Sequence, residues 1–140
     1  AGFTAKVKNL GLIEKKLTAA AAKLTDSRLK PNEEYDCELS LNQVNWDLQK
    51  KLQQFEPFGL ANPQPLFLAK KAKLNRFYPV GQENKHLKLK VDNFNAIAFG
   101  QGKLAAKLKP GQLIDIIYSI EPNNWNNKNS LELKIKEINI

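Results

Sequence analysis

The chain has 140 residues and 15.8 kDa, enough for one full hydrophobic core or two small ones, and its 42% hydrophobic and 26% charged residues match ordinary globular usage. No apolar run approaches the roughly 18 residues of a membrane-spanning helix, one cysteine (Cys37) excludes an internal disulfide, and one histidine (His86) leaves no Cys/His set with the spacing of structural zinc. A formal charge of +8 and a pI near 9.6 point to polyanionic partners, nucleic acid before a membrane surface.

Ala1 to Val7 alternates apolar and polar residues and predicts a short strand. Asn9 is placed to cap a helix in which Leu10, Ile13, Leu17 and Leu24 recur at three- and four-residue intervals, with the alanine run 19–22 adding the strongest helix propensity available. Residues 26–34 carry turn formers. Tyr35, Cys37, Leu39 and Leu41 then alternate with polar residues, which predicts a half-buried strand with Cys37 as a small buried hydrophobe rather than a nucleophile. Asn45 is the expected cap of a second helix, with Asp47 in its positive first turn and Leu48, Leu52 and Phe55 on one stripe, ending before Pro57.

Three prolines and a glycine in residues 57–65 exclude both helix and inner strand. This segment is taken as a linker between residues 1–56 and residues 66–140. In the second half, strands are predicted at 66–77, with Leu66, Leu68, Ala72 and Leu74 inward and Lys71 and Lys73 outward, then at 86–91 and 94–99. Asp92-Asn93 is the hairpin turn joining the last two. Phe94, Ile97 and Phe99 are read as filling for a small barrel. Gly100 and Gly102 end the third strand, a helical turn or two covers 103–108, and strands follow at 113–120 and 131–138, the last bulged where its alternation slips. Three strands, a short helix and two strands is the order of a five-stranded OB-fold barrel, so the expected class is α+β, a barrel preceded by a partial α/β segment.

The charge sits where such a barrel binds its ligand. Residues 1–55 hold nine Lys/Arg against seven Asp/Glu, whereas residues 66–113 hold ten against two. Lys71, Lys73, His86, Lys88 and Lys90 share the outward parity, and Arg76, Phe77, Tyr78 and Lys85 lie at the first hairpin. Cations neutralise phosphates and flat rings accept unstacked bases of any sequence, so these are the ingredients of a single-strand track. The Asn-rich stretch 121–130 adds Trp125 and Lys128, with Trp125 equally suited to stack on a base or to pin its own loop. His86 stands between lysines with no carboxylate to orient it and reads as a surface histidine, not a general base. No catalytic cluster, metal set or phosphate loop emerges from the residue list.

Several ordered motifs resemble the C-terminal part of the bacterial RecJ family of single-strand-specific exonucleases. Ala1-Gly2-Phe3-Thr4 is similar to the end of the Gly-Gly-His-x-x-Ala-Ala-Gly-Phe-Thr signature of the DHH-associated domain. Glu56-Pro57-Phe58-Gly59, Asn62-Pro63 and Pro65-Leu66-Phe67 resemble the family's Glu-Pro-Phe-Gly-x-Gly-Asn-Pro-x-Pro-x-Phe, with Ala61 where glycine is usual. Lys85-His86-Leu87-Lys88-Leu89, the run from Ala96 to Gly100, Leu108-Lys109-Pro110-Gly111 and Asn124-Trp125 resemble its OB-domain markers in order.

The resemblance implies a parent 5′-to-3′ exodeoxyribonuclease of DNA repair and recombination, cutting single strands at an Mn²⁺ or Mg²⁺ site in an upstream Asp-His-His domain. Together with the absence of methionine, it leads to the expectation that the chain is an excerpt: residues 1–56 the tail of a DHH-associated domain, residues 66–140 the OB domain. Such a piece is expected to be cytoplasmic, to hold no catalytic residue, cofactor or metal of its own, and to bind single-stranded DNA without touching a membrane. The other reading is an interaction barrel that packs on its parent's catalytic domains or recruits another DNA-repair protein.

Overall fold

A computed structural model describes residues 4, 6–21, 34–123 and 129–140. By packing, the chain forms two compact units, 1–33 and 34–140. In the first unit a 3₁₀ turn at Val7–Asn9 runs directly into helix α1, Leu10–Ala21, so Asn9 lies inside a turn rather than at a helix cap. Thr18 Oγ1 donates to the Glu14 carbonyl 2.9 Å away, the back-bond usual for a helical threonine. The strand expected at 1–7 falls largely outside the described residues, and so do Leu24 and the connection at 26–33.

In the second unit, β1 is only Cys37–Glu38 and α2 is Trp46–Gln53. Asn45 caps α2 as its side chain predicts, Oδ1 accepting from the Leu48 N–H at 2.9 Å, while Asp47 in the first turn and Lys50 and Lys51 in the last oppose the helix dipole. Leu48 and Leu52 pack on the barrel core, but Phe55, past the end of the helix, is 63% exposed. Cys37 is exposed, contrary to its apolar parity, because the strand is too short to carry the alternation. Ala61 sits in a turn closed by reciprocal Gly59 and Asn62 backbone bonds, and it is not among the left-handed residues, so the alanine fits without glycine's freedom.

The barrel consists of β2 (Phe67–Val80), β3 (His86–Val91), β4 (Phe94–Ala98), β5 (Leu113–Asn123) and β6 (Ser130–Asn139). Strands are joined in the order β2-β3-β4-β6-β5, β5 pairs back with β2 to close the ring, and β1 adds to β2 in parallel. A 3₁₀ turn, Gly102–Ala106, stands between β4 and β5 where a helical turn was predicted. This closed five-stranded ring is the OB-fold. Its interior is filled by Leu74, Leu87, Val91, Ala98, Ile116 and Leu133, all at most trace-exposed, with Tyr118 donating its buried hydroxyl to the Leu39 carbonyl at 2.9 Å.

Three bulges shape the ring. In β6 the extra residue is Lys136, where the slipped alternation predicted one: Ile117 pairs with Glu137 and Tyr118 with Ile135. In β2 the register shifts between Ala69 and Ala72, where Lys71 adopts φ 53° and its N–H is taken by Asp115 Oδ1 at 2.8 Å, and again at Asn75, between Leu74 and Arg76. Each bulge reverses the parity of all that follows. Phe67 and Ala69 therefore join the core cluster ahead of the first bulge, Ala72 and Leu74 after it, and Phe77 after the second. The single parity that put Leu66 and Leu68 inward does not hold over the first part of β2.

Candidate nucleic-acid interface

Antiparallel pairing sets the outer face of β2, β3 and β4 in rows. Arg76 lies beside Lys90 and Lys90 beside Asn95; Tyr78 lies beside Lys88 and Lys88 beside Ile97; Val80 lies beside His86. On β3 the predicted alternation holds throughout: Leu87, Leu89 and Val91 are buried, and Lys88 is exposed with His86 and Lys90 half exposed. One patch thus gathers Arg76, Tyr78, His86, Lys88 and Lys90, with the Tyr78 ring 51% exposed. A shallow polar groove runs through it, lined by Arg76, Tyr78, Lys88, Asn95, Asn123 and Glu132. Glu132, which accepts from Asn123 Nδ2 at 3.1 Å, marks the edge where phosphate would meet like charge.

The other predicted residues are placed differently. Phe77 packs half-buried against the core, so its ring belongs to the barrel wall and not to the surface track. Lys71 and Lys73 are exposed but lie on the far side of the Asn75 bulge, where Lys73 pairs with Leu113 of β5. Their surroundings include carboxylates: Asp115 Oδ1 accepts from the Lys71 N–H, and Asp92 Oδ1 accepts from the Lys73 N–H at 3.4 Å while the Asp92 N–H donates to the Lys73 carbonyl at 2.8 Å. Lys85 is exposed in the turn before β3 and forms a tight junction, its carbonyl accepting from Gly102 N–H at 3.0 Å. A Cβ at Gly102 would stand 1.7 Å from the Asn84 carbonyl oxygen, which is why glycine is required there. Trp125 and Lys128 lie outside the described residues.

Lys90 also braces its own hairpin, donating from Nζ to the Asn93 carbonyl at 2.6 Å and keeping two further N–H donors. His86 is not a free surface imidazole: its Nδ1 accepts from Gly100 N–H at 3.0 Å, which assigns the neutral ring's proton to Nε2. Its ring meets Phe99 edge-on at 5.2 Å.

Phe99 and Ile97 were expected inside the barrel and are outside it. On β4 the inward residues are Phe94, half-buried against the core as expected, and the buried Ala96 and Ala98; Phe99 is 52% exposed and Ile97 half so. Lys134 Nζ stands 5.8 Å from the centre of the Phe99 ring and 3.3 Å from Glu121. The polar residue Asn95 shares the parity of Ile97 and Phe99, and that was the signal in the sequence for an outward row. The outer face therefore carries two exposed rings, Tyr78 and Phe99, with Lys88, Ile97 and His86 between them.

Among the described residues no three His, Cys, Asp or Glu side chains converge as metal ligands, and no helix is long and apolar enough to cross a membrane.

Among known proteins, the RecJ OB domain family matches residues 35–137. The chain is similar to the single-stranded-DNA-specific exonuclease RecJ of Bacillus subtilis (strain 168), 27% identical over 142 residues, which take in 98% of this chain and 18% of that protein. Two crystal structures of RecJ from Thermus thermophilus superpose on it. The complex with Mg²⁺ gives a TM-score of 0.67 at 25% identity, covering 99% of this chain and 21% of that one; the complex with Mn²⁺ gives 0.68 at 24%, covering 99% and 20%. The chain thus spans about a fifth of the length of these relatives.

Proposed function

The chain belongs to the RecJ OB domain family, and from that membership we propose that its barrel holds single-stranded DNA for a metal-dependent 5′-to-3′ exonuclease whose catalytic domains lie elsewhere in a longer protein. The reading places it in the cytoplasm, in DNA repair and recombination. The observation that carries it is the exposed Tyr78 ring, near the end of the first barrel strand, on the same outer face as Arg76 and as Lys88 and Lys90 of the second, beside the first loop and second strand at which OB barrels bind oligonucleotides. The cations take phosphates; Tyr78, and Phe99 beyond it, accept base faces that a duplex keeps stacked. Residues 1–56 are read as the end of a DHH-associated domain, an assignment of ancestry distinct from the packing of residues 34–65 with the barrel.

The Mg²⁺ or Mn²⁺ of the T. thermophilus complexes has no fitting donor set among the described residues, so no catalytic step is assigned to this piece. Its work is to grip the strand.

The test is a titration with labelled single-stranded and duplex oligonucleotides between about 50 and 200 mM salt. Single strands should bind more tightly, with little sequence preference and an affinity that falls as salt rises, and end-labelled strands should stay intact when Mn²⁺ is added. Equal binding of duplex, or a flat salt response, would refute the track and favour a barrel that docks on its parent's domains or on another repair protein.

A further inference from the structure

The groove at Tyr78 is electrically two-sided. Arg76, Lys88 and Lys90 stand on β2 and β3, Glu132 stands on β6, and the exposed Asn95 lies between Lys90 and Glu132 in one cross-strand row. Neighbouring strands are about 4.8 Å apart, so the Lys90 and Glu132 backbones are separated by roughly 10 Å. No ion pair among the described residues joins Glu132 to any of these cations. Asn123 Nδ2 donates to Glu132 Oε2 at 3.1 Å, which holds the half-buried carboxylate in place and leaves Oε1 without a hydrogen bond from the described residues. The groove encloses about 260 Å³, below the roughly 300 Å³ at which drug-sized sites begin, which is room for one base and not for a run of them.

We propose that this groove reads one base of the bound strand, with Glu132 accepting from the base's Watson–Crick edge and guanine as the preferred occupant. The inference rests on the single-strand reading above and adds to it the identity of a base at one position of an otherwise sequence-tolerant track. Phosphate alone does not fit the groove, because Glu132 repels it. A whole nucleotide does, since it is two-sided in the same sense, with an anionic phosphate at one end and ring N–H groups at the other. When the phosphate lies on Arg76, Lys88 and Lys90 and the ring lies against Tyr78, the base edge is directed at the carboxylate. An ionised carboxylate only accepts, so it sorts bases by the donors they present. Guanine offers N1–H and the N2 amino group side by side, a match for two carboxylate oxygens. Cytosine and adenine each offer one amino group beside a bare ring nitrogen. Thymine has a single N3–H between two carbonyl oxygens that the carboxylate repels. Guanine is therefore first in the order and thymine last. Asn95 carries both a donor and an acceptor, fits beside any of the four, and does not decide the order.

The 140-residue chain is titrated, by fluorescence anisotropy in lithium chloride to keep guanines from associating, with three labelled octamers. One is thymidine alone, one alternates thymidine with deoxyguanosine, and one alternates thymidine with deoxyinosine, which differs from deoxyguanosine only in lacking the N2 amino group. The guanine octamer should bind about fivefold more tightly than the thymidine octamer, the low end for a bidentate base contact because the groove is open to water, and the inosine octamer should fall between them. Glu132→Gln keeps an oxygen for Asn123 and turns amide N–H groups toward the base. It should bring the guanine and thymidine octamers within about twofold of each other, with no loss of affinity for the thymidine octamer and no change in melting temperature. Salt-dependent binding of all three octamers with equal affinity, or a guanine preference that survives Glu132→Gln, would overturn the base-reading proposal and leave the phosphate track standing. A preference lost only together with a lowered melting temperature would make Glu132 a brace for Asn123 and would overturn it as well. If no octamer binds, or binding ignores salt, the single-strand reading fails and the proposal fails with it.

Discussion

Lys88→Ala removes one of three cations, Arg76, Lys88 and Lys90, that β2 and β3 carry on the outer face with the Tyr78 ring. If each neutralises one phosphate, the plot of log affinity against log salt has a slope of about −2.1, at about −0.7 per single-strand contact, and affinity falls about 18-fold between 50 and 200 mM salt. Without Lys88 the slope becomes about −1.4 and the same salt step costs about 7-fold. Lys88 is exposed on a strand whose inward residues, Leu87 and Leu89, remain, so folding stability should change by less than about 0.5 kcal/mol. Fluorescence anisotropy with several oligonucleotide sequences over a salt series reads the slope, and a thermal melt reads the stability. An unaltered slope, or a loss confined to one sequence, would refute the phosphate-track assignment; a lowered melting temperature would show that Lys88 supports the fold.

The neighbouring aromatics separate surface from core: Tyr78→Ala should cost about 1–3 kcal/mol in single-strand affinity with melting unchanged, whereas Phe77→Ala should lower stability by about 3 kcal/mol, the low end for a phenylalanine because it is only half buried. Leu89→Asp puts an unpaired carboxylate at a position 4% exposed and should abolish the cooperative thermal transition; a normal melt would mean that the β3 faces are exchanged. Burial pushes the Tyr118 phenol above its ordinary 10.0, so the folded state keeps a proton that the unfolded chain releases; the associated stability is whole below pH 10 and is lost as pH climbs above it. Tyr118→Phe should therefore resist alkaline unfolding more evenly, while at neutral pH losing about 1 kcal/mol because the Leu39 carbonyl is orphaned; chemical denaturation at pH 7 and pH 11 measures both.

Short-range pattern sufficed for much of this chain. Asn45 followed by the Leu48 and Leu52 stripe is a local helix signal, and α2 starts where that cap puts it. Leu87, Leu89 and Val91 against His86, Lys88 and Lys90 is an unbroken alternation, and β3 obeys it. The step from Ile135 to Ile138 announced the β6 bulge. Ordered motifs from Glu56 to Gly111 carried the family, and the strand order carried the OB barrel.

What the sequence did not carry depends on partners distant along the chain. The β2 bulges at Lys71 and Asn75 arise where one strand must pair with β5 along its first half and β3 along its second, and they turn Phe77 inward and divide Lys71 and Lys73 from the Tyr78 patch. Nothing in the run 67–80 states how many residues oppose each partner. Phe99 and Ile97 face outward because the pairing of β4 with β3 and β6 turns the alternate residues Phe94, Ala96 and Ala98 toward the core. Alternation within a strand records that two faces differ; which face is buried, and where it reverses, is decided by the strands that pair with it, because only they define the inside.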